Sequence, residues 1–156
     1  MTKEDLTYPS DSAWGQAEPI AQRQQVRVAV GVLIDTAERV LIAQRTAAAH
    51  QGGLWEFPGG KVELGETTPI ALARELTEEL GITVMESEQL MTVSHDYGDK
   101  QVLLDVYQVT QWVGEPHGLE GQPLAWVKPA QLADYNFPAG NQSIVAHLSL
   151  GQDAKC

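Results

Sequence analysis

A group of carboxylates at helical spacing is the strongest chemical signal in this chain. Glu75, Glu78 and Glu79 lie within residues 60–82, GKVELGETTPIALARELTEELGI. Their i, i+3 and i, i+4 spacing places all three on one face of any helix that they share. Carboxylates on one face repel one another, whereas a hard divalent cation such as Mg²⁺ prefers carboxylate oxygens as ligands. The spacing therefore predicts a metal site, against the alternative of a solvated acidic face.

The ends of the helix that would carry these residues are marked in the sequence. Thr67 or Thr68 can cap its first N–H groups, and Pro69 fits the first turn because its missing N–H has no helical partner there. Gly81 is typical of the residue after a helix, where the backbone becomes left-handed. These signals predict a helix between the two caps.

The same helix has an apolar face. That face is formed by Leu72, Leu76 and Leu80, with Ile70, Ala71 and Ala73 beside them. Leucines that recur every four residues predict burial of the face. Arg74 lies four residues before Glu78, so it can pair with Glu78 or reach back to Glu66.

The rest of the chain alternates between strand-like and helix-like segments. Apolar runs predict strands at Val26–Ile34, Val40–Gln44, Leu90–Ser94, Val102–Val109 and Leu124–Val127, with a turn at residues 35–38. Helices are predicted at Pro129–Ala133 and Ser143–Leu148. This mixture indicates an α+β or mixed α/β fold.

Length and charge limit the function classes that remain. The 156 residues are enough for one domain, which we expect at 26–150, between a flexible extension at 1–25 and a tail at 151–156. A net charge of −11 disfavours a nucleic-acid or anionic-membrane surface. It also repels a phosphate substrate unless cations bridge the two.

Cellular location is predicted from cysteine and hydropathy. Cys156 is the only cysteine, so no internal disulfide can form. No apolar run approaches the length of a membrane span, and the first residues lack the pattern of a secretion signal. We therefore expect a cytoplasmic protein, with no membrane partner and a monomeric or small homo-oligomeric state.

The complete motif around the acidic helix has nine positions. They are Gly60, Glu66, Arg74, Glu75, Leu76, Glu78, Glu79, Gly81 and Ile82. This pattern resembles the signature of the Nudix hydrolases without a mismatch. The resemblance implies an α/β/α sandwich around a mixed β-sheet. It also implies hydrolysis of a nucleoside diphosphate linked to a further moiety, with Mg²⁺ as cofactor and Mn²⁺ as a possible substitute.

The resemblance implies roles for the acidic residues. The metal ligands would be Gly59, through its carbonyl, and Glu75, Glu78, Glu79 and Glu120. Glu75 is the general base that the resemblance favours, with Glu120 as the alternative, and Arg74 completes the predicted catalytic group. Glu66 would orient Arg74 or a ligand from behind.

Within the family, residues 26–150 are similar to the bacterial MutT type, the diphosphatases that hydrolyse 8-oxo-dGTP. The similarity lies in the segments Ala43–Arg45, Leu54–Lys61, Glu120–Pro123 and Asn136–Asn141. The nucleotide would then be bound by Arg45, His50, Glu56, Phe57, Gly59, Gly60, Lys61, Lys100 and Asn141.

Asn141 is the residue with a physical argument for base recognition. Oxidation at C8 converts guanine N7 from an acceptor into an N–H donor next to the O6 acceptor. One carboxamide matches such a donor and acceptor pair completely. The alternative is that Asn141 caps the final helix.

Two departures from the MutT pattern affect this expectation. Tyr97-Gly98-Asp99-Lys100 stands where Phe-Pro-Asp-Arg is common, and Ala139-Gly140 stands where Pro-Ala is usual. Lysine cannot reproduce the planar fork of arginine. Hydrolysis of pyrimidine nucleoside triphosphates, or of another nucleoside-diphosphate compound, is therefore the leading alternative. A nucleotide sensor without catalysis is a further alternative, although every acidic motif position is intact.

Overall fold

The computed structural model describes residues 24–46 and 52–154. His50 lies outside the described residues. Residues 1–23 of the predicted extension and residues 155–156 of the predicted tail also lie outside the described residues.

The described residues form seven strands, two α-helices and two short 3-10 helices. The strands are β1 (Gln24–Leu33), β2 (Val40–Gln44), β3 (Trp55–Glu56), β4 (Gly59–Lys61), β5 (Thr83–Asp96), β6 (Lys100–Val113) and β7 (Leu124–Val127). The α-helices are α1 (Thr68–Leu80) and α2 (Gln142–Ala154), and the 3-10 helices are Pro129–Asp134 and Ala139–Asn141. Neither described α-helix has the length and apolar character that crossing a membrane requires.

The strands form two sheets. In the larger one the order is β4-β1-β6-β5, with β1 and β6 parallel and the other pairs antiparallel. In the smaller one the order is β3-β2-β7, and both pairs are antiparallel. The predicted mixed α/β class is confirmed. The prediction had one mixed sheet, whereas the structure has a mixed sheet and a second sheet that is antiparallel.

The second half of strand β1, residues 29–33, is buried on both faces and forms the centre of the fold. Ala29 and Leu33 pack with the leucines of α1, whereas Val30 and Val32 pack on the side of α2. Successive side chains of a strand point to opposite faces, so a doubly covered strand requires a continuous apolar run. The two helices therefore cover opposite faces, as a sandwich requires.

Helix α1 has the predicted caps. The Thr67 side chain accepts a hydrogen bond from the N–H of Ile70, and Gly81 has φ 75° and donates to the carbonyl of Thr77. The expectation that Ile70 lies on the buried face is wrong, because its side chain is 57% exposed. Two residues correspond to about 200° of helix, so Ile70 points away from Leu72.

Strand β5 is much longer than the predicted Leu90–Ser94. It is the edge strand of the larger sheet and pairs with β6 over Thr83–Asp96. Its exposed positions include Glu86 and Glu88, which break the apolar pattern that the prediction used. Pairing with a long neighbour, rather than local composition, sets the length of this strand.

The leucine face of α1 is expected to contribute strongly to stability. Leu76 is fully buried, so Leu76→Ala leaves a cavity and lowers the free energy of unfolding by about 2 to 5 kcal/mol. Urea unfolding measures the change. Leu64→Ala is the matched control, because the Leu64 side chain is fully exposed and its removal changes stability by less than about 0.5 kcal/mol. Equal effects of the two substitutions would contradict this packing.

Candidate active site

Arg74 joins three chain segments at the acidic face of α1. Its Nε and Nη2 atoms donate to the two carboxylate oxygens of Glu66, at 2.7 and 2.9 Å. Nη1 donates to Glu75 at 2.9 Å, and Nη2 donates to the carbonyl of Lys61 at 3.1 Å. The approach to Glu78 is longer, at 3.7 Å. Of the two partners that the sequence left open, Glu66 is the closer one.

This arrangement stabilises the ionised form of Glu66. The hydrogen bonds from Arg74, followed by one from the backbone N–H of Glu63, lower the pKa of Glu66 to about 2. The Glu66 and Glu75 side chains are only 17% and 16% exposed. A charge-assisted, bidentate pair of this kind holds its partners in a defined geometry. Arg74 is therefore held in place from behind while it contacts Glu75.

Gly59 and Gly60 allow strand β4 to approach its neighbours closely. A Cβ at Gly60 would overlap the carboxylate of Glu75, and a Cβ at Gly59 would overlap the carbonyl of Ala29. Gly59 also has φ 153°, which a residue with a side chain rarely adopts. The Glu75 carboxylate thus lies between β4 and Arg74.

Glu79 lies at the centre of a group of carboxylates. Burial raises its pKa to about 9, together with a hydrogen bond to Glu75 and the charges of Glu75, Glu120 and Glu56. Burial also raises the pKa of Glu56, partly offset by an ion pair of 2.7 Å with Arg45. We call Glu56, Glu75, Glu79 and Glu120 the acidic cluster. Its members come from β3, α1 and the loop that follows β6.

The acidic cluster has the donor chemistry that suits a divalent cation. Hard cations prefer several carboxylate oxygens, and the raised pKa of Glu79 records the cost of keeping these groups together without one. Within residues 24–46 and 52–154, no three acidic, histidine or cysteine side chains are already arranged around a common point for an ion. Glu78, the remaining predicted ligand on α1, is 57% exposed.

Two adjoining cavities open at the acidic cluster. The larger has a volume of about 440 Å³ and is bordered by most of the predicted nucleotide-binding residues, namely Arg45, Glu56, Phe57, Gly59, Gly60, Lys61 and Asn141. The smaller, of about 200 Å³, is bordered by Glu79, Glu120 and Gln122 among others. Arg45, Glu56 and Glu79 border both, so we treat the two cavities as one cleft.

Three of the predicted nucleotide-binding residues need separate description. The described residues that border the cleft do not include Lys100, which begins β6, and His50 lies outside the described residues. Phe57 borders the cleft but is buried and stacks on Phe137, with ring centroids 5.2 Å apart. Phe57 therefore contributes to the core as well as to the wall of the cleft.

Asn141 borders the larger cavity, whereas Glu120 borders the smaller one. Asn141 ends the 3-10 helix that precedes α2, and its carboxamide makes no hydrogen bond with the described residues. Capping of α2 by this side chain is therefore absent in the part of the chain that the structure describes. Its amide and carbonyl groups are available to a ligand.

The sequence did not single out two residues that border the cleft, Tyr97 and Gln122. The Tyr97 hydroxyl lies next to Gly140, where an added Cβ would be 3.4 Å away. Gln122 borders the smaller cavity. Tyr97 lies in a segment that departs from the MutT pattern, and Gln122 lies in a segment that matches it. The sequence therefore marked both segments, but it did not indicate that the Tyr97 and Gln122 side chains point towards the cleft.

Comparisons with known proteins identify the family of this chain. The family model described as NUDIX domain matches residues 29–147, more than half of the chain. The chain is similar to the 8-oxo-dGTP diphosphatase of Escherichia coli K12, with 37% identity over 125 residues, 80% of this chain and 97% of that protein. It is also 37% identical over 122 residues to the CTP pyrophosphohydrolase of the same organism, covering 78% and 90%.

The fold of this chain is also similar to that of a solved structure. It comes from a study of MutT from Aliivibrio salmonicida and Vibrio cholerae, with a TM-score of 0.74, 38% identity and coverage of 82% of this chain and 99% of that one. The chain belongs to the Nudix family. It is a pyrophosphohydrolase of that family, whose members generally use a divalent metal ion.

The Arg74–Glu66 pair predicts a pH dependence of stability. The Glu66 pKa is lower in the folded protein than its ordinary value of 4.5, so its contribution is complete above about pH 4.5 and disappears as the pH falls towards 2. Glu66→Gln removes this contribution. We expect the stability difference between wild type and variant to be constant above pH 4.5 and to shrink below it. Denaturant unfolding from pH 2 to 6 tests this, and a pH-independent difference would contradict it.

Removal of one carboxylate from the acidic cluster is expected to raise the stability of the metal-free protein and to reduce the stabilisation that metal provides. Glu79→Gln removes a partly buried acid from acidic neighbours, so the metal-free variant melts at a higher temperature than the wild type. Addition of Mg²⁺ or Mn²⁺ raises the melting temperature of the wild type more than that of the variant. Turnover falls by orders of magnitude, because a proposed ligand of the cation is lost. Normal activity of Glu79→Gln would contradict the assignment of the site.

Proposed function

We propose that this enzyme hydrolyses 8-oxo-dGTP to the monophosphate and pyrophosphate with Mg²⁺ as cofactor, and thereby removes an oxidised nucleotide from the precursor pool. The observation that carries this proposal is that Glu79 and Asn141 border the same cavity of about 440 Å³. A nucleotide with its phosphates at the acidic cluster would then have its base near Asn141. The 8-oxo-dGTP diphosphatase from Escherichia coli, 37% identical, supports the same substrate.

The reaction consumes one water and breaks one phosphoanhydride bond. Glu75, Glu78, Glu79, Glu120 and the carbonyl of Gly59 would hold the cation. When bound, the cation neutralises charge on the diphosphate and makes a water more acidic. Positioning and charge stabilisation provide most of the catalysis in phosphoryl transfer.

The chain's own groups complete the reaction. Glu75 would accept the proton of the attacking water, with Glu120 as the alternative base. Arg74 orients Glu75 through the 2.9 Å hydrogen bond, and Glu66 holds Arg74 from the other side. Arg45 and Lys61 border the cleft and supply positive charge near the phosphates.

Asn141 would discriminate between oxidised and ordinary guanine. The carboxamide pairs with the N7–H donor and O6 acceptor of 8-oxoguanine. Ordinary guanine presents two acceptors, so the Asn141 carbonyl would face N7 without a proton between them. Leaving such groups unpaired costs about 1 to 3 kcal/mol each.

Hydrolysis of a pyrimidine nucleoside triphosphate is the second candidate function. The observation that favours it is the equal identity, 37%, to the CTP pyrophosphohydrolase of Escherichia coli. The absence of Lys100 from the described border of the cleft also leaves the base end without the cation that the sequence predicted.

Three further features belong to the proposal. We expect the enzyme to act in the cytoplasm, where deoxynucleotide precursors are used, as a monomer or small homo-oligomer. Its catalytic domain would comprise residues 26–150. The family match at residues 29–147 supports these bounds.

A substrate panel tests the proposal. We expect kcat/KM to be highest for 8-oxo-dGTP, lower for dGTP and lowest for dCTP. Asn141→Ala lowers kcat/KM for 8-oxo-dGTP by about ten-fold or more relative to dGTP, because the discriminating hydrogen bonds are lost. Asn136→Ala is the matched control, since Asn136 is exposed and borders a different cavity.

The possible results separate the two candidate functions. An equal loss on all substrates would remove Asn141 as the group that recognises the base. A wild-type preference for dCTP would favour the pyrimidine reaction.

A further inference from the structure

The loop between β6 and β7, residues 114–123, closes over the C-terminal end of α1. The N–H groups of His117 and Leu119 donate to the carbonyls of Leu80 and Glu79, both at 3.0 Å. The last carbonyl groups of a helix have no partner within the helix, so these bonds satisfy groups that would otherwise need water. Leu119 also packs over Gly81, where an added Cβ would be 3.4 Å from its side chain. The loop is therefore anchored on the helix that carries Glu75 and Glu79.

Gln122 makes the most specific contact between this loop and the helix. Its Nε2 donates to the carbonyl of Glu79 at 3.3 Å, and its Oε1 accepts from the N–H of Glu120 at 2.9 Å. A carboxamide carries one donor group and one acceptor group at a fixed separation, so one side chain can join both backbones.

Gly118 provides the space that this contact requires. A Cβ at Gly118 would overlap the carbonyl oxygen of Gln122 and would lie 3.3 Å from its Oε1. The loop therefore folds tightly enough for Gln122 to turn back towards the helix. The side-chain contacts of Gln122 follow from the loop's backbone path.

The position of Glu120 depends on this loop. Glu120 is exposed and belongs to no strand or helix, yet it borders the smaller cavity together with Glu56, Glu79 and Gln122. A carboxylate on a loop reaches a fixed point only if the loop backbone is held. The hydrogen bond from the Glu120 N–H to Gln122 holds that backbone at the residue concerned.

We propose that Gln122 is a positioning residue that fixes Glu120 relative to α1, so that the Glu120 carboxylate stays with the carboxylates of the helix. This inference rests on the proposed participation of Glu120 in the reaction. Gln122 acts through Glu120 and is not expected to contact the substrate's reacting atoms. Its loss therefore affects the rate of the bound complex more than substrate binding.

Gln122→Met tests the inference, because methionine has a similar length and makes neither hydrogen bond. We expect kcat to fall by about ten-fold with KM nearly unchanged, since a displaced catalytic group lowers the rate of the bound complex. In a Glu120→Gln background the same substitution changes kcat by less than about two-fold, because the group that Gln122 positions is already absent. Circular dichroism establishes that each variant is folded.

A matched control separates this effect from loss of a hydrogen bond in general. Gln101→Met removes the bond from Gln101 Nε2 to the Ser94 hydroxyl, 2.9 Å long, and neither residue borders the cleft. We expect its kcat to equal that of the wild type. A comparable loss in Gln101→Met would overturn the specific role of Gln122.

Other outcomes also decide the question. A loss of kcat that persists in the Glu120→Gln background would overturn the inference, as would wild-type kcat in Gln122→Met. The assays use the nucleoside triphosphate that the wild type hydrolyses fastest. If that substrate is not 8-oxo-dGTP, the proposed substrate fails while the comparison of variants still tests Gln122.

Discussion

Repulsion among the carboxylates of the acidic cluster is the constraint on which this site depends. Glu79 is partly buried beside Glu75 and close to the charges of Glu56 and Glu120, an arrangement that raises its pKa and opposes folding. A protein that keeps such groups together without a cation must supply the opposing free energy from elsewhere. Here the hydrogen bonds of Arg74 and the leucine face of α1 supply it. A bound divalent cation would remove the repulsion, so metal binding and the stability of the site are coupled.

The surrounding structure holds α1 from several sides. Thr67 and Gly81 cap its two ends, and the loop at 114–123 satisfies its final carbonyls. Strand β4 lies against Glu75, which only glycine at residue 60 permits. A site built on a helix that is held in this way keeps its geometry better than one built on loops alone. Glu120 is the exception, since it comes from a loop, and Gln122 is the contact that compensates.

Several features followed from local sequence because their causes are local. The caps of α1 and the burial of Leu72 were predicted from residue types and spacing, and the structure confirms them. Predictions were less accurate where a distant segment decides the outcome. Strand β5 is longer than expected because β6 supplies its hydrogen bonds along Thr83–Asp96. Ile70 was placed on the wrong face because an apolar side chain was treated as buried without regard to its direction.

The sequence by itself determined the family, through the nine-position motif. It also determined that Glu75 and Glu79 lie close together, because residues at i and i+4 of one helix are neighbours in any fold. Tertiary structure decided that Arg74 pairs mainly with Glu66, and that Glu120 joins the helix carboxylates from a loop about forty residues away. It also placed Tyr97, rather than Lys100, in the wall of the cavity that Asn141 borders. These choices depend on how the strands pair across the chain and on how loops pack against α1. Such contacts between distant segments produce no repeating pattern of residues from which they could be predicted.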